Sequence, residues 1–103
     1  MNIDLFEQNP DKVQAIKTLI WEYAIDLGQL TSDEFNKHDG FVVSYTVAGS
    51  PFQVYYLRDN WSNRLETATV YSDLLVAVSD AVGDKYRHNR ENCLYKVSVL
   101  NKE

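Results

Sequence analysis

The chain has 103 residues, 45% of them hydrophobic and 13% aromatic, enough for one modest core and too apolar for a disordered segment. Its net charge of −5 disfavours direct binding to nucleic acid or to an anionic membrane, because phosphate contacts need Lys and Arg. No apolar run approaches the roughly 18 residues of a membrane span.

The start, MNIDLFEQNPD, has neither the basic segment nor the apolar stretch of a signal peptide. Cys93 is the single cysteine, which rules out an intramolecular disulfide and fits a reducing compartment. A cytoplasmic protein is expected. The charge is uneven: the first 50 residues carry Asp4, Glu7, Asp11, Glu22, Asp26, Asp33, Glu34 and Asp39 against Lys12, Lys17 and Lys37. An acidic surface of this kind suits a basic protein partner.

Asn9-Pro10-Asp11 reads as a helix start, with Asn as the cap, Pro in the first turn and an acid beside the positive end of the dipole. Gly28 is placed to end that helix. Val13, Ile16, Ile20, Tyr23, Ala24 and Leu27 recur at helical spacing and form its core face. A rotation of about 100° per residue puts Trp21 and Ile25 off that face, beside Gln14 and Thr18. The pair is expected to be an exposed apolar patch for a partner or for a second copy in a homodimer. Gln29 to Gly40 is polar; Thr31 or Ser32 caps a short turn there, and Asp39-Gly40 turns the chain onward.

Phe41 to Arg58 carries the strongest pattern. Phe41, Val43, Tyr45 and Val47 alternate with Val42, Ser44, Thr46 and Ala48, and then Phe52, Val54 and Tyr56 with Gln53, Tyr55 and Leu57. Period-two alternation around Ala48-Gly49-Ser50-Pro51 predicts an antiparallel hairpin. Its buried face is expected to hold Val43, Tyr45, Val54 and Tyr56, leaving Tyr55 on the opposite side. Trp61 lies in the turn-like cluster Asp59 to Asn63. Arg64 to Tyr71 is ambiguous: Thr67, Thr69 and Val70 favour a third strand, whereas Asn63 and Glu66 resemble a helix capping box. A third strand is expected, since three strands make a hairpin viable.

Asp73 to about Arg87 reads as the second helix, with Leu74, Leu75, Val78, Ala81, Val82 and Tyr86 on the core side. Asp73, Ala77, Asp80 and Asp84 fall opposite. Lys85, Arg87, His88 and Arg90 gather where a helix C-terminus favours positive charge. Cys93 to Leu100 alternates again and predicts a last strand at an edge of the sheet. The order is α-β-β-β-α-β, an α+β single domain with helices on one face of a mostly antiparallel sheet.

No constellation in this order points to catalysis. His38, His88 and Cys93 are the nitrogen and sulfur ligands; Glu34–His38 and Asp84–His88 are spaced to share helical faces but lack a third ligand, so no metal or other cofactor is expected. Cys93 falls on a core-facing strand position, where thiols are inert. No G-x-S-x-G motif and no glycine-rich phosphate loop occurs. Helix, three strands and helix is also the order of double-stranded RNA-binding domains, but their second helix starts Lys-rich and this one starts Ser72-Asp73-Leu74-Leu75.

The expected function is a non-catalytic protein-binding module of inhibitor or antagonist type. It would use acidic and aromatic surface against a basic, nucleic-acid-handling partner, with the Asp73, Asp80 and Asp84 stripe imitating phosphate spacing. Trp21, Ile25, Asp33, Glu34, Asp39, Tyr55 and Trp61 complete the expected contact set. A dimeric chaperone or adaptor that cradles a partner segment on its sheet is the alternative, and a small-molecule or enzymatic domain the third.

Overall fold

A computed structural model describes residues 3–28, 38–49, 54–57 and 62–101. The fold is α+β: among the described residues, two helices pack on one face of a four-stranded, mostly antiparallel sheet. Helix α1 spans Pro10–Glu22, and Asn9 accepts the Asp11 N–H at 3.0 Å as the cap. Helix α2 spans Leu74–Arg87, capped by Asp73, which accepts the Leu75 N–H at 2.9 Å. The strands are β1 (Asp26–Leu27), β2 (His38–Val47), β3 (Tyr55–Tyr56) and β4 (Cys93–Asn101), in the spatial order β1-β4-β2-β3.

Among the described residues the helices and strands follow in the expected order, α-β-β-β-α-β, but the strands are not all the expected strands. Helix α1 ends at Glu22 and not near Gly28. Ala24 takes a left-handed φ of 54°, and the Ile25 N–H closes back on the Ile20 carbonyl. This is a Schellman ending with alanine where glycine is usual. The turn aims Ile25 into the core and frees Asp26–Leu27 to pair, in parallel, with Lys96–Val97 of β4. β4 is therefore an interior strand, flanked by β1 and β2, rather than the expected edge.

Arg64 to Tyr71 is not a continuous strand. Leu65–Thr67 forms a 3-10 turn, closed by the Thr67 hydroxyl on the Arg64 carbonyl at 2.9 Å. The chain then extends, and Tyr71 exchanges backbone hydrogen bonds with Phe41 at 2.7 and 2.8 Å. Gly40 permits that approach: a β-carbon there would sit 2.6 Å from the Tyr71 carbonyl oxygen, and its φ is +151°.

The core lies between sheet and helices. Phe41, Val43 and Tyr45 of β2 and Cys93, Tyr95 and Val97 of β4 alternate toward Ile16 of α1 and Leu74, Ala77, Val78 and Ala81 of α2. Helix α2 is rotated from the expected face. Ala77 is fully buried, because two alanines a turn apart let the helix lie close to β2 and β4. Leu75 and Val82 are left at the core margin, and Tyr86 faces out. The β2–β3 register pairs Ser44 with Tyr56 and Tyr45 with Tyr55, one residue from the pairing a two-residue turn at Gly49-Ser50 would give. A slip of one residue exchanges the faces. Tyr55 therefore stacks on Tyr45 on the helix side at 5.3 Å, and Tyr56 is not on the core face.

A candidate docking groove at the helix C-terminal ends

Two links set the relative direction of the helices. Near their starts, Lys12 pairs with Asp73 at 3.6 Å and with Glu7 at 3.7 Å. At their ends, the Lys85 ammonium donates to the Tyr23 carbonyl at 2.7 Å. Like ends meet, so α1 and α2 run in the same direction and their negative dipole ends coincide. Both helices end alike: Asn89 repeats at α2 the left-handed φ of Ala24, and the Arg90 N–H closes on the Lys85 carbonyl.

An open groove of about 600 Å³ lies between these endings, lined by Glu22, Tyr23, Ala24, Lys85, Tyr86, Asn89 and Glu91. Tyr86 is 82% exposed, and Trp21, the residue before Glu22, is 86% exposed. No other described aromatic residue stands so far into solvent.

Behind the groove, a buried polar network fixes the last turn of α2. Asp84, only 7% exposed, accepts from the Tyr95 hydroxyl and from Arg90 Nη1 at 2.9 Å, and its other oxygen lies 3.5 Å from His88 Nε2. The Arg90 guanidinium lies 4.6 Å above the Tyr45 ring, and Tyr45 stacks in turn on Tyr95 at 5.2 Å. Burial pushes the Tyr95 hydroxyl well above the ordinary tyrosine value; its hydrogen bond to Asp84 adds to this and Arg90 opposes it. Burial likewise raises Tyr45. It works against the charge on Arg90, but Tyr95, Tyr45 and Asp84 outweigh it and hold that pKa above its usual value. The network therefore sits as a neutral phenol bonded to a compensated ion pair, a rigid support for the groove wall formed by Lys85, Tyr86 and Asn89.

The expected contact residues fall in different places. Trp21 is exposed, as the helical spacing required. Ile25 is 5% exposed and belongs to the core, because the helix ends before it and the turn carries it inward. Tyr55 is a partly buried helix-side residue stacked on Tyr45, not a free surface tyrosine.

The acidic stripe is not a row of free carboxylates. Asp73 caps α2 and faces Lys12, Asp80 accepts the Tyr71 hydroxyl at 2.7 Å, and Asp84 is buried. Burial, then Asp80, raises the Tyr71 pKa. The spacing that suggested one face is defeated by the rotation of α2, which turns Asp84 inward. Asp33, Glu34 and Trp61 lie outside the described residues, as does the side chain of Asp39, whose backbone is in β2.

Tyr86, Glu22 and Glu91 were missed as surface residues. Tyr86 fits the apolar spacing of Val78 and Val82, and only the small pair Ala77 and Ala81 signals the face that packs. Among the described residues, no group of three or more His, Cys, Asp or Glu is placed to hold a metal ion. Nor is any described helix long and apolar enough to cross a membrane. No family model, curated protein or solved structure matches this chain, so its functional reading rests on geometry.

Proposed function

We propose that the protein is a non-catalytic protein-binding module of inhibitor or antagonist type, whose docking surface is the groove where α1 and α2 end. The observation that carries this is the pair of outward-standing aromatics, Trp21 and Tyr86, one on the last turn of each helix. Large aromatic side chains held in water on a fixed support lose little freedom on binding and are favoured interface anchors. The partner surface is basic, in keeping with the net charge of −5 and with the two helix C-termini that meet there. A cytosolic site of action fits the buried free thiol of Cys93.

The test is capture of the partner from the native host, its identification by mass spectrometry, and pairwise binding of the purified proteins. A basic partner whose affinity falls at least tenfold with Trp21→Ala/Tyr86→Ala, at unchanged melting temperature, supports the proposal; each substitution trims only exposed surface. Unchanged pairwise binding by the double variant overturns it.

The outer face of the sheet supports a second function, that of an adaptor cradling an apolar segment. Val42, Ser44, Leu65, Val70 and Leu100 line a hollow of about 560 Å³ there, and Leu94 on the same strand is 64% exposed. Salt separates the two: docking at the helix ends weakens as salt rises, whereas apolar cradling does not.

A further inference from the structure

Charge in and around the groove is unevenly committed. Lys85, its one lining base, is tied to the Tyr23 carbonyl, and Arg90 and His88 behind it are engaged with Asp84. The two lining acids, Glu22 and Glu91, are exposed and have no partner among the described residues. The groove thus offers two uncommitted carboxylates, the carbonyl ends of two parallel helices and the exposed Tyr86 ring, with Trp21 on the residue before Glu22, while its one lining cation, Lys85, is held at the α1 end by the Tyr23 carbonyl.

A guanidinium answers all three features at once. It stacks on Trp or Tyr, donates in a planar fork to carboxylates and carbonyls, and loses less hydration than an ammonium. We infer that the groove seats an arginine-bearing segment of the partner, bound through Glu22 and Glu91 with the arginine against the Trp21 or Tyr86 ring. The inference rests on the docking function proposed above and names its occupant.

The experiment titrates N-acetylated, C-amidated tetra-arginine into the full chain at low salt and follows amide and indole resonances. The matched tetra-citrulline and tetra-lysine peptides serve as comparisons. Tetra-arginine should shift Glu22, Ala24, Tyr86, Asn89, Glu91 and the Trp21 indole. Tetra-lysine should bind more weakly, tetra-citrulline should not bind, and Glu22→Gln/Glu91→Gln should weaken tetra-arginine by about tenfold. Equal shifts with citrulline or lysine, shifts confined to another surface, or full binding by the double Gln variant would each overturn the inference. Its failure is distinct from that of the docking function. If the purified partner still depends on Trp21 and Tyr86, the groove stands and arginine falls; if tetra-arginine binds the groove while the partner ignores both aromatics, the reverse holds.

Discussion

Lys85 and Tyr23 are 62 residues apart in sequence, yet the lysine ammonium bonds the tyrosine carbonyl at 2.7 Å and holds the ends of two helices together. A charged donor to a half-buried carbonyl contributes on the order of 1–2 kcal/mol. Lys85→Met keeps the stem and removes the donor, so urea denaturation should show a loss of about that size. A variant as stable as the parent would mean the bond is a surface contact without energetic weight.

Asp84→Asn should be the costly member of the acidic series. It leaves the Arg90 charge beside the Tyr45 ring without its counter-ion, for a loss of about 2–4 kcal/mol. Asp73→Asn keeps a capping side chain and should cost only a few tenths of a kcal/mol. Asp80→Asn should be similarly mild. The triple Asn variant should therefore be destabilised by nearly the Asp84 amount, measured by chemical denaturation. Neutrality of the triple variant would contradict the buried placement of Asp84.

Gly40 and Gly49 should respond differently to alanine. At Gly40 the new methyl meets the Tyr71 carbonyl oxygen at 2.6 Å with φ at +151°, so Gly40→Ala should cost about 2–4 kcal/mol. Gly49 has φ +84° but open space around it, and Gly49→Ala should cost only about 1 kcal/mol. Equal melting temperatures for the two variants would remove the Phe41–Tyr71 bridge as a constraint.

Tyr95 makes the protein sensitive to alkali. Below the ordinary tyrosine value of 10.0 the phenol is protonated in both folded and unfolded chains, and pH does not act through it. Above that value the unfolded chain releases this proton and the folded chain keeps it, so stability falls as pH rises, by up to about 1.4 kcal/mol per pH unit. Tyr95→Phe removes this contribution. Its stability should decline less steeply than the parent's above pH 10, a difference read from denaturation at a series of pH values. Parallel curves would show that the phenol is not held in its neutral form.

Patterns that depend on one element were readable before the fold was known. The Asn9-Pro10-Asp11 start, the helix from about Asp73 to Arg87 and the alternation of Cys93, Tyr95 and Val97 are local, and each stands where it was expected. What was not legible depends on partners distant in sequence. Ala24 has no intrinsic reason to leave the helix; burial of Ile25 and pairing of Asp26 with Lys96 make it do so. The helical face of α2 had two self-consistent solutions, and packing chose the one with Ala77 inward. That choice moved Asp84 into the core and Tyr86 out of it, so the expected acidic stripe dissolved and the aromatic groove took its place. Tyr55 changed sides for a one-residue difference in register.

The position of β4 has a consequence for biosynthesis. Its ladder with β2 joins Val47 to Cys93 and Gly40 to Leu100, and β4 is the one strand that β1 pairs with among the described residues. Until Cys93–Asn101 has emerged from the ribosome, β1 has no strand neighbour among the described residues and β2 has only the two-residue β3 and the bridge from Phe41 to Tyr71, so the sheet of the nascent chain stays open. Such long-range closure folds slowly and leaves unpaired edges exposed to other chains in the interval.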